Sequence, residues 1–410
     1  MSSAIATHRR DIQIMGAIGI AHFFSHFFQL VLAPLFPLIS TDLGISNVEL
    51  GLLVSVFFVA SAGFQTPSGF LVDRIGARPV LIGGLGMMSV AVTLYGFAPN
   101  YQIMLVLMFV AGAGNSVFHP ADYSLLNDAV NPKPIGRAYG VHSIGGHGGF
   151  AMAPLVMASL GIWLGWRDAL MVAGLSGIVV AIILFALGKD FFQGSRERKP
   201  TTGPETIKAG IAILMQPTII GFFLFFVILA MGLIGMQNFT PTALVMERGL
   251  SLVAAGGAIS AFLIGAPIGV LVGGIMADKY TRHQDIAASS AIICVGIVVL
   301  SVTLFNLAGL FLYAAFSIGG LLFGIALPNR DMVVRSATPE GASGRVFGFV
   351  YGGLDTGAAI TPVLYGWFLD QQHPSWVFLF SGCLFFLAAL LMLFTARSMV
   401  RADTPSGRPS

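Results

Sequence analysis

Charge is what this chain lacks. Of its 410 residues, 21 are Lys or Arg and 18 are Asp or Glu, 10% in all, where a soluble protein of this size carries about 25%. Most of the chain is therefore built for a solvent other than water. Cysteine is nearly absent: Cys294 and Cys383 lie in apolar runs without ligand spacing, so both read as buried small side chains and imply no disulfide framework. No GxxxxGK[ST] loop offers coupling to ATP hydrolysis, and no nucleophile elbow or HExxH pair suggests an enzyme. The net charge of +3 says little about nucleic acid, since the basic residues follow topology and are not gathered into a patch, and no nucleic-acid partner is expected. The polar opening around Arg9, Arg10 and Asp11 has no small-residue cleavage site behind a short apolar core, so no cleaved signal peptide is expected.

What the chain has instead is apolar residues, 56% of the total, with a mean hydropathy of +0.87. They recur in blocks of about 20, the length that spans a bilayer as a helix, and this excludes a soluble domain with one anchor. Twelve spans are predicted, over 16–39, 50–71, 80–98, 102–124, 138–160, 168–188, 214–240, 252–275, 286–304, 308–329, 345–368 and 376–396. The 51 Gly and 20 Pro are compatible with these helices, because spanning segments tolerate both and small residues allow close packing.

Basic residues alternate with the connections. Arg9 and Arg10; Arg74 and Arg78; Lys133 and Arg137; the run from Lys189 to Lys208; Lys279 and Arg282; Arg335 and Arg345; and Arg397, Arg401 and Arg408 share one side, while the other holds only Arg167 and Arg248. The positive-inside tendency then puts both termini in the cytoplasm. The expected organisation is a six-helix bundle over 1–190, a cytoplasmic linker over 191–213, a second bundle over 214–396 and a tail over 397–410.

The halves repeat. Pro120, Gly136-Arg137, Tyr139-Gly140, Gly145 and Pro154 recur 208 residues later as Pro328, Gly344-Arg345, Phe347-Gly348, Gly353 and Pro362, which argues for a duplicated unit. After span two the chain reads Gly69-Phe-Leu-Val-Asp73-Arg74-Ile-Gly76-Ala77-Arg78, and after span eight Gly274-Ile-Met-Ala-Asp278-Lys279-Tyr-Thr-Arg282. In such a loop the acid can accept bonds from helix-end amides or pair with a base. This pair of loops resembles the signature of the major facilitator superfamily. Ala77 stands where the family often has arginine, and Thr281 where it has glycine.

The resemblance implies an all-α membrane protein of two pseudo-symmetric six-helix bundles, rocking about a central cavity. Asp73, Arg74, Arg78, Arg137, Asp278, Lys279, Arg282 and Arg345 would form its cytoplasmic latch. His22-Phe23 with Gln29, and Phe118-His119-Pro120 before a glycine-rich span, look like the fosmidomycin-resistance branch of efflux proteins. Where that branch tends to have an acid four residues after the first span-one histidine, this chain has His26.

Polar groups inside spans are costly and mark the transport route. His22, His26 and Gln29 share a helix face; with no carboxylate nearby in sequence, the two histidines assign no metal. Pro34 and Pro37 interrupt the same span. His119 and Asp122 are three residues apart, suited either to proton coupling or to a cytoplasmic gate. In span five, His147 is placed deeper than His142 and is preferred for the cavity. In the second half, Gln237 and Asn238 precede Pro241 and can hydrogen-bond a polar solute. Asp355, flanked by Thr356 and preceded by Tyr351, lies midway along span eleven and is the candidate proton carrier. Arg330 matches Asp122 by the repeat offset of 208, and an ion pair between them would either close the cytoplasmic side or serve equally as internal support. Phe23, Phe27, Phe239 and Trp367 are candidate lining residues.

These residues predict secondary active transport of a small organic solute by alternating access, as proton-coupled efflux from the bacterial inner membrane. Uptake of an organic anion is the alternative, and a non-transporting membrane sensor a more remote one. No cofactor and no metal are expected, the partners are the solute, protons and lipid, and the protein is expected to act as a monomer.

Overall fold

The computed structural model describes residues 2–130, 135–188, 212–280, 283–339 and 343–403. The first half contains α1 (Ser2–Gln29), a 3-10 turn (Ala33–Leu35), α2 (Phe36–Leu43), α3 (Asn47–Ile75), α4 (Ala77–Tyr95), α5 (Tyr101–Asn115), α6 (Phe118–Ala129), α7 (Ile135–Leu164) and α8 (Trp166–Ala186). The second contains α9 (Pro217–Arg248), α10 (Leu252–Lys279), α11 (Gln284–Leu304), α12 (Gly309–Ser336), α13 (Ser343–Asp370) and α14 (Trp376–Asp403). Among the described residues, 11 helical segments are long and apolar enough to cross a membrane. The predicted span over 345–368 corresponds to α13, which is 28 residues long but falls short of the same apolarity; Tyr351, Asp355 and Thr356 are part of the reason.

Local sequence explains the interruptions. Pro34 and Pro37 lack the amides that would continue α1, so the chain passes through the 3-10 turn and resumes as α2, ending at Gly44 with a φ of +65°. Span four also breaks, at Ser116 and Val117, because Pro120 cannot donate to the carbonyl of Ser116. Its repeat partner, Pro328, sits inside the continuous α12. The duplication therefore does not extend to this kink.

The starts are capped. Ser46 and Glu49 form a reciprocal capping box on α3, and Asn100 accepts from the amide of Ile103 at 3.0 Å to start α5. On the side predicted to be extracellular, Arg167 reaches Asp42 at 3.0 Å and the carbonyl of Ala98 at 2.8 Å.

Two compact units emerge: one of Met1–Pro200, Pro241–Ser260 and Pro362–Gln372, the other of Thr201–Thr240, Ala261–Thr361 and His373–Ser410. In the first, α1 and α7 pack backbone to backbone: Gly145 lies on the carbonyl of Gly19, and Gly149 on that of Phe23. In the second, α10 and α12 do the same, with Gly320 on the carbonyl of Phe262 and Gly324 on that of Ala266. A spaced pair of small residues is what lets two apolar helices approach when lipid offers no hydrophobic drive to join them. Cys294 is half-buried and Cys383 exposed, against the expectation that both are buried. A spanning helix turns one side outward even where its sequence is apolar all round, so span membership alone could not place them.

Candidate functional site

In the first unit the kink between α5 and α6 brings polar residues of three helices together. Asp122, on α6, is fully buried. Its Oδ2 lies 3.0 Å from His142 Nε2 on α7 and 3.1 Å from His22 Nδ1 on α1. The His142 contact is a hydrogen bond. The His22 nitrogen is as close but lies off the hydrogen-bonding line, and among the described residues neither it nor Asp122 Oδ1 has a hydrogen-bond partner. The rings of His22 and His142 stack with centroids 3.6 Å apart, and His26 stands 4.3 Å from His22. His26 also packs on Phe150, with its Nδ1 buried and without a hydrogen-bond partner among the described residues.

Gly146 makes this cluster possible. A Cβ there would come within 2.8 Å of the His22 ring and 3.1 Å of His26. The absence of a side chain at Gly146 is thus what leaves room for the two imidazoles against the α7 backbone.

Of the other first-half candidates, His119 is exposed, 5.7 Å from the His22 ring and stacked on Tyr123. Gln29 joins a second polar group that sequence reasoning did not assemble: Asn115 Oδ1 accepts from Ser25 at 2.8 Å and from Gln29 at 3.3 Å, while Asn115 Nδ2 donates to Ser61 at 2.9 Å. Ser25 lies one helical turn from His22 and Gln29, and that shared face was its available signal. His147 is half-buried and bonded to the Ser143 carbonyl at 2.9 Å. It is His142, not the preferred His147, that enters the cluster.

The second unit holds a separate group. Arg330, on α12, is buried; its Nε donates to Asp331 at 2.9 Å, and its guanidinium lies 4.6 Å from the centre of the Phe226 ring and 5.7 Å from that of Tyr351. Asp122 and Arg330 are each paired within their own unit, with histidines and with Asp331. Asp355 is half-buried on α13, one turn from Tyr351, and has no hydrogen bond or ion pair among the described residues. Gln237 and Asn238, on α9, are buried, and their side-chain oxygens have no hydrogen-bond partner among the described residues. Of the expected lining residues, Phe27 and Phe239 are buried and Trp367 is exposed.

Half of the predicted latch lies outside the described residues: Arg282 entirely, and Asp73, Asp278 and Arg345 as side chains. Arg74, Arg137 and Lys279 are exposed. Arg78 closes the C-terminus of α8, donating to the carbonyl of Phe185 at 2.6 Å.

The arrangement parallels known proteins over nearly the whole chain. The chain is 25% identical over 393 residues to the hexuronate transporter of Bacillus subtilis (strain 168), covering 91% of this chain and 90% of that one. It is 22% identical over 401 residues to the fosmidomycin resistance protein of Escherichia coli (strain K12), covering 94% and 93%. The latter is one of several matches of similar strength, so the narrower branch is not distinguished. A solved structure of a bacterial homolog to the human lysosomal transporter Spinster shares the fold, with a TM-score of 0.78 over 97% of this chain and 99% of that one at 16% identity. The family description Major Facilitator Superfamily matches residues 18–329 and 258–409, and the chain belongs to that superfamily as a multi-pass membrane protein that transports a small solute.

Proposed function

We propose that the chain is a proton-coupled exporter of a small organic solute, working by alternating access as a monomer in a bacterial inner membrane, with both termini cytoplasmic. Two six-helix bundles rock about the solute, and the charged loops after spans two and eight latch the cytoplasmic side. The observation that carries the coupling is Asp355, a half-buried mid-helix carboxylate with no hydrogen bond or ion pair among the described residues. Such a group is costly to leave charged in a membrane, whereas one that binds and releases a proton can exchange that cost for work. Each elementary charge moved is worth about 2.3 kcal/mol per 100 mV. The direction rests on the likeness to a fosmidomycin resistance protein.

A second reading, uptake of an organic anion, is favoured by Arg330. Its buried guanidinium lies against Phe226 and offers the donor geometry suited to a carboxylate, and a relative of similar length carries hexuronate. Flux in proteoliposomes decides between the two. A panel of labelled solutes, organic anions included, is offered with the pH gradient imposed in each direction. Gradient-dependent flux is expected, outward flow supports export, and flux indifferent to the gradient sinks proton coupling.

A further inference from the structure

We propose that His22, Asp122 and His142 form a buried site for one divalent first-row transition metal ion of the zinc, cobalt or nickel kind. Their ligand atoms lie within 4.8 Å of one another, and the three come from α1, α6 and α7. Both imidazole nitrogens stand about where a tetrahedral site needs them: ligands about 2.0–2.2 Å from a zinc ion are separated by roughly 3.3 Å, and here the N···O separations are 3.0 and 3.1 Å.

The hydrogen bonds that are present do not account for this cluster. His22 Nδ1 faces the carboxylate off the hydrogen-bonding line, and Asp122 Oδ1 and the neighbouring His26 Nδ1 also have no hydrogen-bond partner among the described residues. Leaving such groups unpaired in an apolar interior costs about 1–3 kcal/mol each, and native interiors rarely do so. A divalent cation among the three ligands satisfies the His22 nitrogen and the carboxylate together, and balances the charge of Asp122, whose ion-pair partners among the described residues are both histidines. The ligand set names the class of ion: two imidazoles with one carboxylate suit divalent first-row transition metals such as zinc, cobalt and nickel, whereas calcium and magnesium prefer oxygen ligands. His26, its ring 4.3 Å from that of His22, is a further donor beside the site. Gly146 keeps the space open, since any side chain there would press on both His22 and His26.

The proposal is independent of the role given to Asp355, because its test involves no transport. The full chain, purified in detergent through a tag without histidine and stripped by a chelator, is titrated with zinc by calorimetry and with cobalt by visible spectroscopy. One ion per chain is expected, with cobalt bands of a four- or five-coordinate site. Asp122→Asn and His142→Gln, each checked for a single monodisperse species, should weaken binding roughly 100-fold or more, while His373→Ala leaves it unchanged. X-ray absorption on the zinc-loaded wild type needs no variant and should show two imidazoles. Absence of binding, equal binding by the folded variants, or a zinc shell without imidazole each overturns the proposal.

Discussion

Asp370, in the last turn of α13, holds the first turn of α3: its Oδ1 accepts from both the backbone and side-chain amides of Asn47, at 2.8 Å each, and its Oδ2 from the amide of Val48 at 2.9 Å. With Ser46 accepting from Glu49, the amides that open the helix without an internal partner are supplied from outside it, and the carboxylate complements the helix dipole. Gly366 and Gly51 let the same two helices touch, on the carbonyls of Asn47 and Pro362.

Asp370→Ala should therefore release this contact. Amide hydrogen exchange at Asn47 and Val48 is expected to quicken, with a loss of about 1–3 kcal/mol in stability. Unchanged exchange at those two amides would mean that the carboxylate does not hold the helix start.

Helix contact through glycine predicts a graded series on α7. Gly145→Ala and Gly149→Ala push a methyl into the carbonyls of Gly19 and Phe23, and overpacking of this kind costs about 1–3 kcal/mol. A Cβ on Gly140 meets nothing within 4 Å, so Gly140→Ala should be neutral or slightly stabilising. Thermal unfolding in detergent orders the three, and an equal response would contradict the packing account.

Much of the fold was legible because membrane spans announce themselves by length and apolarity, and because Pro34 and Pro37 interrupt the first span. The site was legible only along single helices. His22 and His26 share a face by their spacing, but the carboxylate that meets His22 comes from another helix, and no local pattern predicts that meeting. His142 and His147 are five residues apart, roughly 140° around a helix of about 3.6 residues per turn. One of them had to face elsewhere, and depth along the span could not say which. The kink that brings Asp122 under His22 was signalled by Pro120, yet Pro328 leaves α12 unbroken, so proline alone does not decide it.

Arg330 yields a prediction on solute charge. If the guanidinium against Phe226 receives an anionic solute, Arg330→Gln should raise the KM for organic anions tenfold or more while sparing neutral solutes. Arg330→Lys should recover little, because an ammonium cannot lie flat on the ring or donate as a fork. Competition between charged and neutral solutes in proteoliposomes measures this, and an equal loss for both would reduce Arg330 to a structural partner of Asp331.

Proton coupling through Asp355 is tested most directly by comparing two fluxes in one variant. In proteoliposomes carrying Asp355→Asn, solute accumulation driven by a pH gradient should be lost, while counterflow, in which labelled solute exchanges for unlabelled with no gradient, should continue at a rate near that of the wild type. Accumulation as strong as in the wild type would contradict the account and remove Asp355 as the proton carrier.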